Sequence, residues 1–230
     1  MYIFQLTALA LAPGSAVILY IYLKDKHERE PLSLLLISFV YGILSTAVTL
    51  LISWPVNAYL ILEPGNLADE FYSAFFKVAL VEEFSKFLFV RLILFPNRNF
   101  NEPFDGIVYA VMVGMGFATL ENVLYVFQYG VETGVWRMFT AVPAHATFAV
   151  LMGFFMGKAK FSKKRGAFYM VAGLFAATLF HGSYDYFWFI AKIRDVWAGV
   201  WLGAIASLLV GAILSRAAIR LHQQASPFSR

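Results

Sequence analysis

Apolar residues run in blocks along the whole chain, broken by short polar stretches. The blocks fall at approximately Phe4–Leu23, Leu32–Trp54, Phe71–Phe95, Phe104–Phe127, Phe139–Gly157, Phe168–Ile190 and Trp197–Ala217. A run of about 18 or more apolar residues, coiled as a helix, spans the hydrocarbon core of a bilayer. The pattern therefore predicts an all-α membrane protein, a polytopic transmembrane helix bundle of about seven spans. The semi-apolar stretch Pro55–Leu62 is a candidate eighth element, re-entrant or interfacial. The polar stretches are too short to hold a soluble domain, so residues 1–230 are expected to form a single integral membrane domain.

Composition agrees. Of the 230 residues, 60% are hydrophobic and only 14% charged, and the mean hydropathy is +0.70. A soluble domain carries about a quarter charged residues, so this chain has too little polar surface to cover a water-soluble globule. Residues 1–23 lack the basic start and small-residue exit of a cleavable signal peptide and are expected to stay as the first span. With no cysteine, disulfides and thiolate chemistry are excluded.

The net charge of +4 reports orientation before it reports a partner, and no nucleic acid is expected. Seven spans place Lys24, Lys26, Arg29, Arg91, Arg98, Lys158, Lys160, Lys163, Lys164, Arg165, Arg216, Arg220 and Arg230 on one side. Lys77, Arg137, Lys192 and Arg194 fall on the other, and Lys86 lies inside a span. Basic residues accumulate on the cytoplasmic side, so the N-terminus is expected outside and the C-terminus in the cytoplasm. Gly153/Gly157, Gly199/Gly203 and Gly114/Ala118 are small-residue pairs four apart that allow close helix packing without specifying function.

The candidate chemistry lies in residues that are costly to bury in lipid. The third span carries Glu82, Glu83 and Lys86, the fourth Glu121 followed by Asn122, the fifth His145, and the sixth His181 and Asp185. Counted along helices of alternating direction, these positions lie in one layer of the outer half, roughly 9–17 Å below the surface at 1.5 Å per residue. At about 100° per residue, Lys86 falls between Glu82 and Glu83, while Lys77 points to the opposite side. Phe117, Glu121 and Tyr125 share a face, and His181 and Asp185 are spaced so that the carboxylate orients the imidazole.

Glutamates with two histidines suit hydrolysis. A desolvated Glu acts as general base on water, and imidazole N–H groups stabilise an oxyanion. Glu82 is the first choice of base and Glu83 the second, with Lys86 tuning the pair. Glu121, His145 and His181 position water. No cofactor is required by this reading, and no metal is assigned. Zinc held by Glu121, His145 and His181 is the alternative, although no H-E-x-x-H motif is present. Outside enzymes, a proton relay or transporter and a non-catalytic immunity or scaffold protein stay open.

Four motifs in order carry a resemblance. Glu82-Glu83-Phe84-Ser85-Lys86 reads as EExxK, Phe117 to Asn122 as FxxxEN, His145 to Phe148 as HxxF, and His181 to Asp185 as HxxxD. An Ala12-Pro13-Gly14 turn and the Tyr22–Asp25 and Glu30-Pro31 segments add to it. Together they resemble the PrsW intramembrane proteases, which belong with the CAAX prenyl-protease and Abi membrane proteins. The CAAX proteases carry His where this chain has Glu121. The resemblance implies a bacterial cell-membrane endopeptidase of the stress response that makes the first, extracytoplasmic cut in a single-pass anti-sigma factor. It implies that Glu82, Glu83, Glu121, His145 and His181 are the site residues. The oligomeric state is left open.

Overall fold

The computed structural model describes residues 2–193 and 196–228, so Arg194 and Arg230 of the orientation argument lie outside the described residues. The described residues form helices and turns, with no strand among them. The elements are α1 (Tyr2–Lys24), α2 (Leu32–Tyr59), α3 (Leu67–Tyr72), a π-helical segment π1 (Ser73–Ala79), α4 (Leu80–Phe89), a second π-helical segment π2 (Val90–Leu94), α5 (Pro103–Tyr129), α6 (Val131–Phe139), α7 (Ala141–Phe161), α8 (Gly166–Ile190) and α9 (Leu202–Gln224).

Six helical stretches are long and apolar enough to cross a membrane: α1, α2, α5, α6 with α7, α8 and α9. The remaining predicted span, the third, is helical from α3 to π2 but carries too many charges to count as apolar. The expected bundle is therefore present. Leu50, Leu51, Trp54, Phe168 and Val171 are exposed on its outside while Glu83, Lys86, His145 and His181 are buried within. This inverts a soluble protein and fits a lipid solvent.

Helix α5 is the axis. It starts at Pro103, whose missing N–H suits the first helical position, behind a reciprocal cap between Glu102 and Asp105. It stops at Gly130, whose φ of +86° few other residues adopt. Two glycine contacts let neighbours close on it. A side chain on Gly42 of α2 would strike the Val113 carbonyl, and one on Gly153 or Gly157 of α7 would strike the α5 backbone at Gly106 or Pro103. The Gly153/Gly157 pair thus works as the spacing predicts.

Four details differ from expectation. Pro55–Leu62 forms no separate element, because α2 continues through Pro55 to Tyr59 and then turns. Ala12-Pro13-Gly14 is no turn but lies inside α1, where Gly14 faces Thr119 of α5. The last span starts at Leu202 rather than Trp197. Gly199 therefore sits in a turn against the Trp197 ring and does not form a helical pair with Gly203. The polar stretch before the fifth span, read as a loop, folds as the short amphipathic helix α6.

Candidate active site

The ionisable side chains of the middle helices meet in one cluster. Helix α4 supplies Glu82, Glu83 and Lys86, and it is bounded on both sides by π turns. A π turn widens the helix locally and shifts the register of the residues beyond it. Lys77 and Arg91, in the π segments, therefore do not lie on the same uniform 3.6-residue wheel as Glu82, Glu83 and Lys86. Lys77, in π1, faces away and donates to the Leu60 carbonyl at 3.0 Å, outside the cluster as the sequence predicts.

Glu83 is 1% exposed and fully engaged through one oxygen. Its Oε1 accepts from Lys86 Nζ at 2.7 Å and from His181 Nδ1 at 2.9 Å. Lys86 Nζ also lies 3.5 Å from Glu82 Oε2 and 3.3 Å from His145 Nδ1, and it sits over the Phe117 ring at 4.0 Å. An ammonium only donates, so His145 Nδ1 is the acceptor and its proton sits on Nε2. That N–H then donates to Glu121 Oε2 at 2.9 Å. His181 faces carboxylates on both sides, Glu83 at Nδ1 and Asp185 at Nε2, the latter at 3.2 Å. Two ring protons satisfy this arrangement. Phe148 stacks on His181 with centroids 4.8 Å apart and fixes the ring plane.

Glu82 is different. Its Oε2 is buried and has no hydrogen-bond partner. It borders a cavity of about 610 Å³ that Glu121, His145, His181, Asp185 and Arg137 also line. Of the two adjacent glutamates, then, Glu83 is locked into the structure and Glu82 is presented to the cavity.

Every residue singled out from the sequence is in or beside this cluster. Phe117 underlies Lys86, and Asp185 holds His181. Asn122 stands one step back, donating to the Leu9 and Ala10 carbonyls of α1 at 3.2 and 3.0 Å. Sequence reasoning misses Arg137 of α6, which counts there only as a loop charge. Its Nη2 donates to Glu121 Oε2 at 2.8 Å and its Nε to Asn122 Oδ1 at 2.9 Å. The available signal is a basic residue just before the start of a span, level with a buried glutamate on the preceding one.

The donor set fits a divalent metal. Glu82, His145 and His181 each offer one ligand atom, and these atoms lie within 4.8 Å of one another. Two imidazoles and a carboxylate with an open fourth position is a catalytic zinc set. A buried Glu82 oxygen that accepts no hydrogen bond is what such a site needs. Glu121 at His145 Nε2 and Glu83 at His181 Nδ1 give the carboxylate support that metal-bound histidines have, while Asp185 shares His181 Nε2. The set is not the Glu121, His145 and His181 trio that the sequence offers as the alternative to a metal-free site. Glu121 is instead engaged by His145 and Arg137, and Glu82 takes its place.

Comparisons with known proteins show the family that the motifs suggest. The family described as PrsW family intramembrane metalloprotease matches residues 30–214. The chain belongs to the PrsW family. Protease PrsW of Geobacillus kaustophilus is 40% identical over 227 residues, covering 99% of this chain and 95% of that protein. Protease PrsW of Bacillus subtilis is 36% identical over 185 residues, 80% of this chain and 82% of that one. Protease PrsW of Clostridioides difficile is 32% identical over 200 residues, 84% and 82% of the two chains. No solved structure matches. As a PrsW protein with multiple apolar helices, the chain is a multi-pass membrane peptide hydrolase whose substrate is a membrane protein.

Proposed function

We propose that this PrsW protein is an endopeptidase that makes the first cut in a single-pass anti-sigma factor. The catalytic layer would lie in the extracytoplasmic half of a bacterial cell membrane, with the N-terminus outside and the C-terminus in the cytoplasm. The observation that carries the mechanism is the buried Oε2 of Glu82, which accepts no hydrogen bond and borders the cavity beside two imidazoles. A carboxylate in that position takes a proton from a water entering the cavity and returns it to the leaving amine. Lys86, between Glu82 and Glu83, limits the cost of holding Glu82 ionised away from bulk water. His181, held between Asp185 and Glu83, brings the positive charge of a doubly protonated ring to the cavity wall, near where negative charge develops on the scissile carbonyl. His145 and Glu121, hydrogen-bonded to each other, order the attacking water from the facing helices. Glu83 is a structural anchor in this reading.

A second reading has support of its own in the Glu82, His145 and His181 donor set and in the family's description as a metalloprotease. Those three residues would hold a divalent ion, which would supply Lewis-acid polarisation of the carbonyl and of water. In both readings Glu82 is indispensable. Glu82→Gln, which is nearly isosteric, should leave the protein inserted while lowering cleavage of an anti-sigma factor in liposomes by about 10²–10⁴-fold. Wild-type turnover by this variant would overturn both readings. Metal analysis of the active protein before and after chelation separates them. Activity that survives removal of all bound metal supports the first reading, and zinc lost in step with activity supports the second.

A further inference from the structure

We infer that Arg137 is a positioning residue for the reaction, setting the rotamer of Glu121 from outside the four motif helices. The inference rests on the proteolytic reading above. Arg137 belongs to α6, a nine-residue amphipathic helix whose other face exposes Val135 and Phe139. Its side chain leaves that surface helix and turns into the cavity. There the guanidinium makes three contacts at once. Nη2 reaches Glu121 Oε2 at 2.8 Å, Nε reaches Asn122 Oδ1 at 2.9 Å, and the guanidinium carbon stands 4.2 Å from the centre of the Tyr125 ring.

The consequence falls on Glu121. Its Oε2 accepts from two directions, the Arg137 guanidinium and His145 Nε2. Two charged or polar donors on one oxygen leave the side chain no free torsion. They also direct its remaining acceptor capacity to the cavity that Glu121 lines. A water or a substrate N–H entering that cavity meets a carboxylate already aimed. Asn122 closes the arrangement on the other side. It accepts from Arg137 and donates to the Leu9 and Ala10 carbonyls, so the planar fork of the guanidinium ties α6, α5 and α1 together at this one acid. A lysine reaches Glu121 as a point charge but lacks the second, geometrically fixed donor for Asn122.

The test uses the full-length protein in liposomes with a single-span anti-sigma factor as the probe. Cleavage rates and thermal unfolding are followed for wild type, Arg137→Gln, Arg137→Lys, Glu121→Gln and the Glu121→Gln/Arg137→Gln double variant. Arg137→Gln should lower kcat by about 10- to 100-fold with KM within about twofold, the range for loss of a partner that orients a reacting group. Arg137→Lys should recover part of that loss. The double variant should be no slower than Glu121→Gln alone, because Arg137 acts through Glu121. Full activity in Arg137→Gln, or additive losses in the double variant, would overturn the inference. If Arg137→Gln fails to fold, Arg137→Lys decides: wild-type kcat there means the fork to Asn122 has no role in positioning. Glu82→Gln run alongside separates the two levels. Loss there with an unaffected Arg137→Gln rejects only the positioning role, whereas activity there rejects the reading beneath it.

Discussion

Two acid-rich regions sit near opposite ends of α5, and they handle buried charge in opposite ways. Near its C-terminal end, Glu82, Glu83, Glu121 and Asp185 are interleaved with Lys86, Arg137 and His181 in a chain of ion pairs. Near its N-terminal end, Asp25, Glu30, Glu102 and Asp105 are all buried, and no ion pair reaches any of them among the described residues. They are held by backbone N–H groups and hydroxyls instead. Glu30 N donates to Asp25 at 3.1 Å, Asn101 N and Glu102 N each donate to Asp105 at 2.8 Å, Tyr109 donates to Glu30, and Ser226 donates to Glu102. Sixteen residues of α5 separate Asp105 from Glu121, about 24 Å along the helix. The first region surrounds its carboxylates with cations, which keeps them ionised away from bulk water. The second is a hydrogen-bonded clasp joining the α1–α2 loop, the start of α5 and the C-terminal segment. None of its acids is in ion-pair contact with a cation among the described residues, and burial drives its loop acids toward their neutral form.

The largest expected effect breaks the first region. Lys86→Met keeps an apolar stem over the Phe117 ring but leaves Glu83, 1% exposed, without its ammonium. Removing one partner of a buried pair costs about 3–5 kcal/mol, because the other charge stays buried and uncompensated. The detergent-solubilised protein should therefore melt well below wild type, with lowered membrane yield. Glu30→Gln in the other region removes an acid that has no cation, so it should leave melting unchanged or raise it. If the two substitutions destabilise equally, the contrast between the regions is wrong.

The same contrast decides what the sequence could reveal. Glu82, Lys86, Glu121, His145 and His181 stand out because ionisable groups in apolar runs are costly and rare, and the structure brings them together. Asp25 and Glu30 lie in a stretch that reads as a solvated loop. Their burial comes from tertiary packing against α5, which no local pattern records. The π turns flanking α4 are equally hidden, since the composition of Ser73–Ala79 does not separate a π-helix from an α-helix. Arg137 escapes notice because α6 is short, and its charge looks like a topological marker. The choice of Glu82 over Glu83 as cavity-facing acid depends on hydrogen bonds, not spacing. Spacing alone leaves both open.

A smaller effect sharpens the second region through pH. Burial pushes the Asp25 carboxyl up to about 6 and the Glu30 carboxyl up to about 7, with Arg29 opposing only part of the shift at Asp25. Burial raises Glu102 as well. A raised native pKa means that the folded state binds the proton more tightly than the unfolded chain, whose carboxyls titrate near 4. The stabilising contribution is then complete below about pH 4 and is lost as the pH climbs through 6 and 7. Melting temperature should fall between pH 5 and pH 8, and the fall should be shallower in Glu30→Gln. Melting that rises over the same interval would place the dominant titration elsewhere. The neighbours that set these values are Asp25, Glu28 and Arg29 from the loop and Asp105 and Tyr109 from α5.

The smallest expected effect belongs to a cation in neither region. Lys77 lies on the same helical stretch as Glu82 and Lys86, yet its ammonium donates to the Leu60 carbonyl at the end of α2. That bond closes a backbone acceptor left free where the helix stops, so its role is local and structural. Lys77→Gln keeps a donor on a shorter stem. It should cost at most about 1 kcal/mol of stability, the net worth of one intramolecular hydrogen bond. Cleavage should stay within about twofold of wild type, because no atom of Lys77 contacts a residue lining the cavity by a hydrogen bond or ion pair. Measured beside Lys86→Met, it isolates position from charge: both variants remove one positive charge from the same stretch, nine residues apart. If Lys77→Gln lost as much cleavage as Lys86→Met, net charge of the helix rather than its pairing geometry would govern the site. The distinction between a cation-paired layer and a hydrogen-bonded clasp would then no longer support placing the proposed catalysis in the first of them.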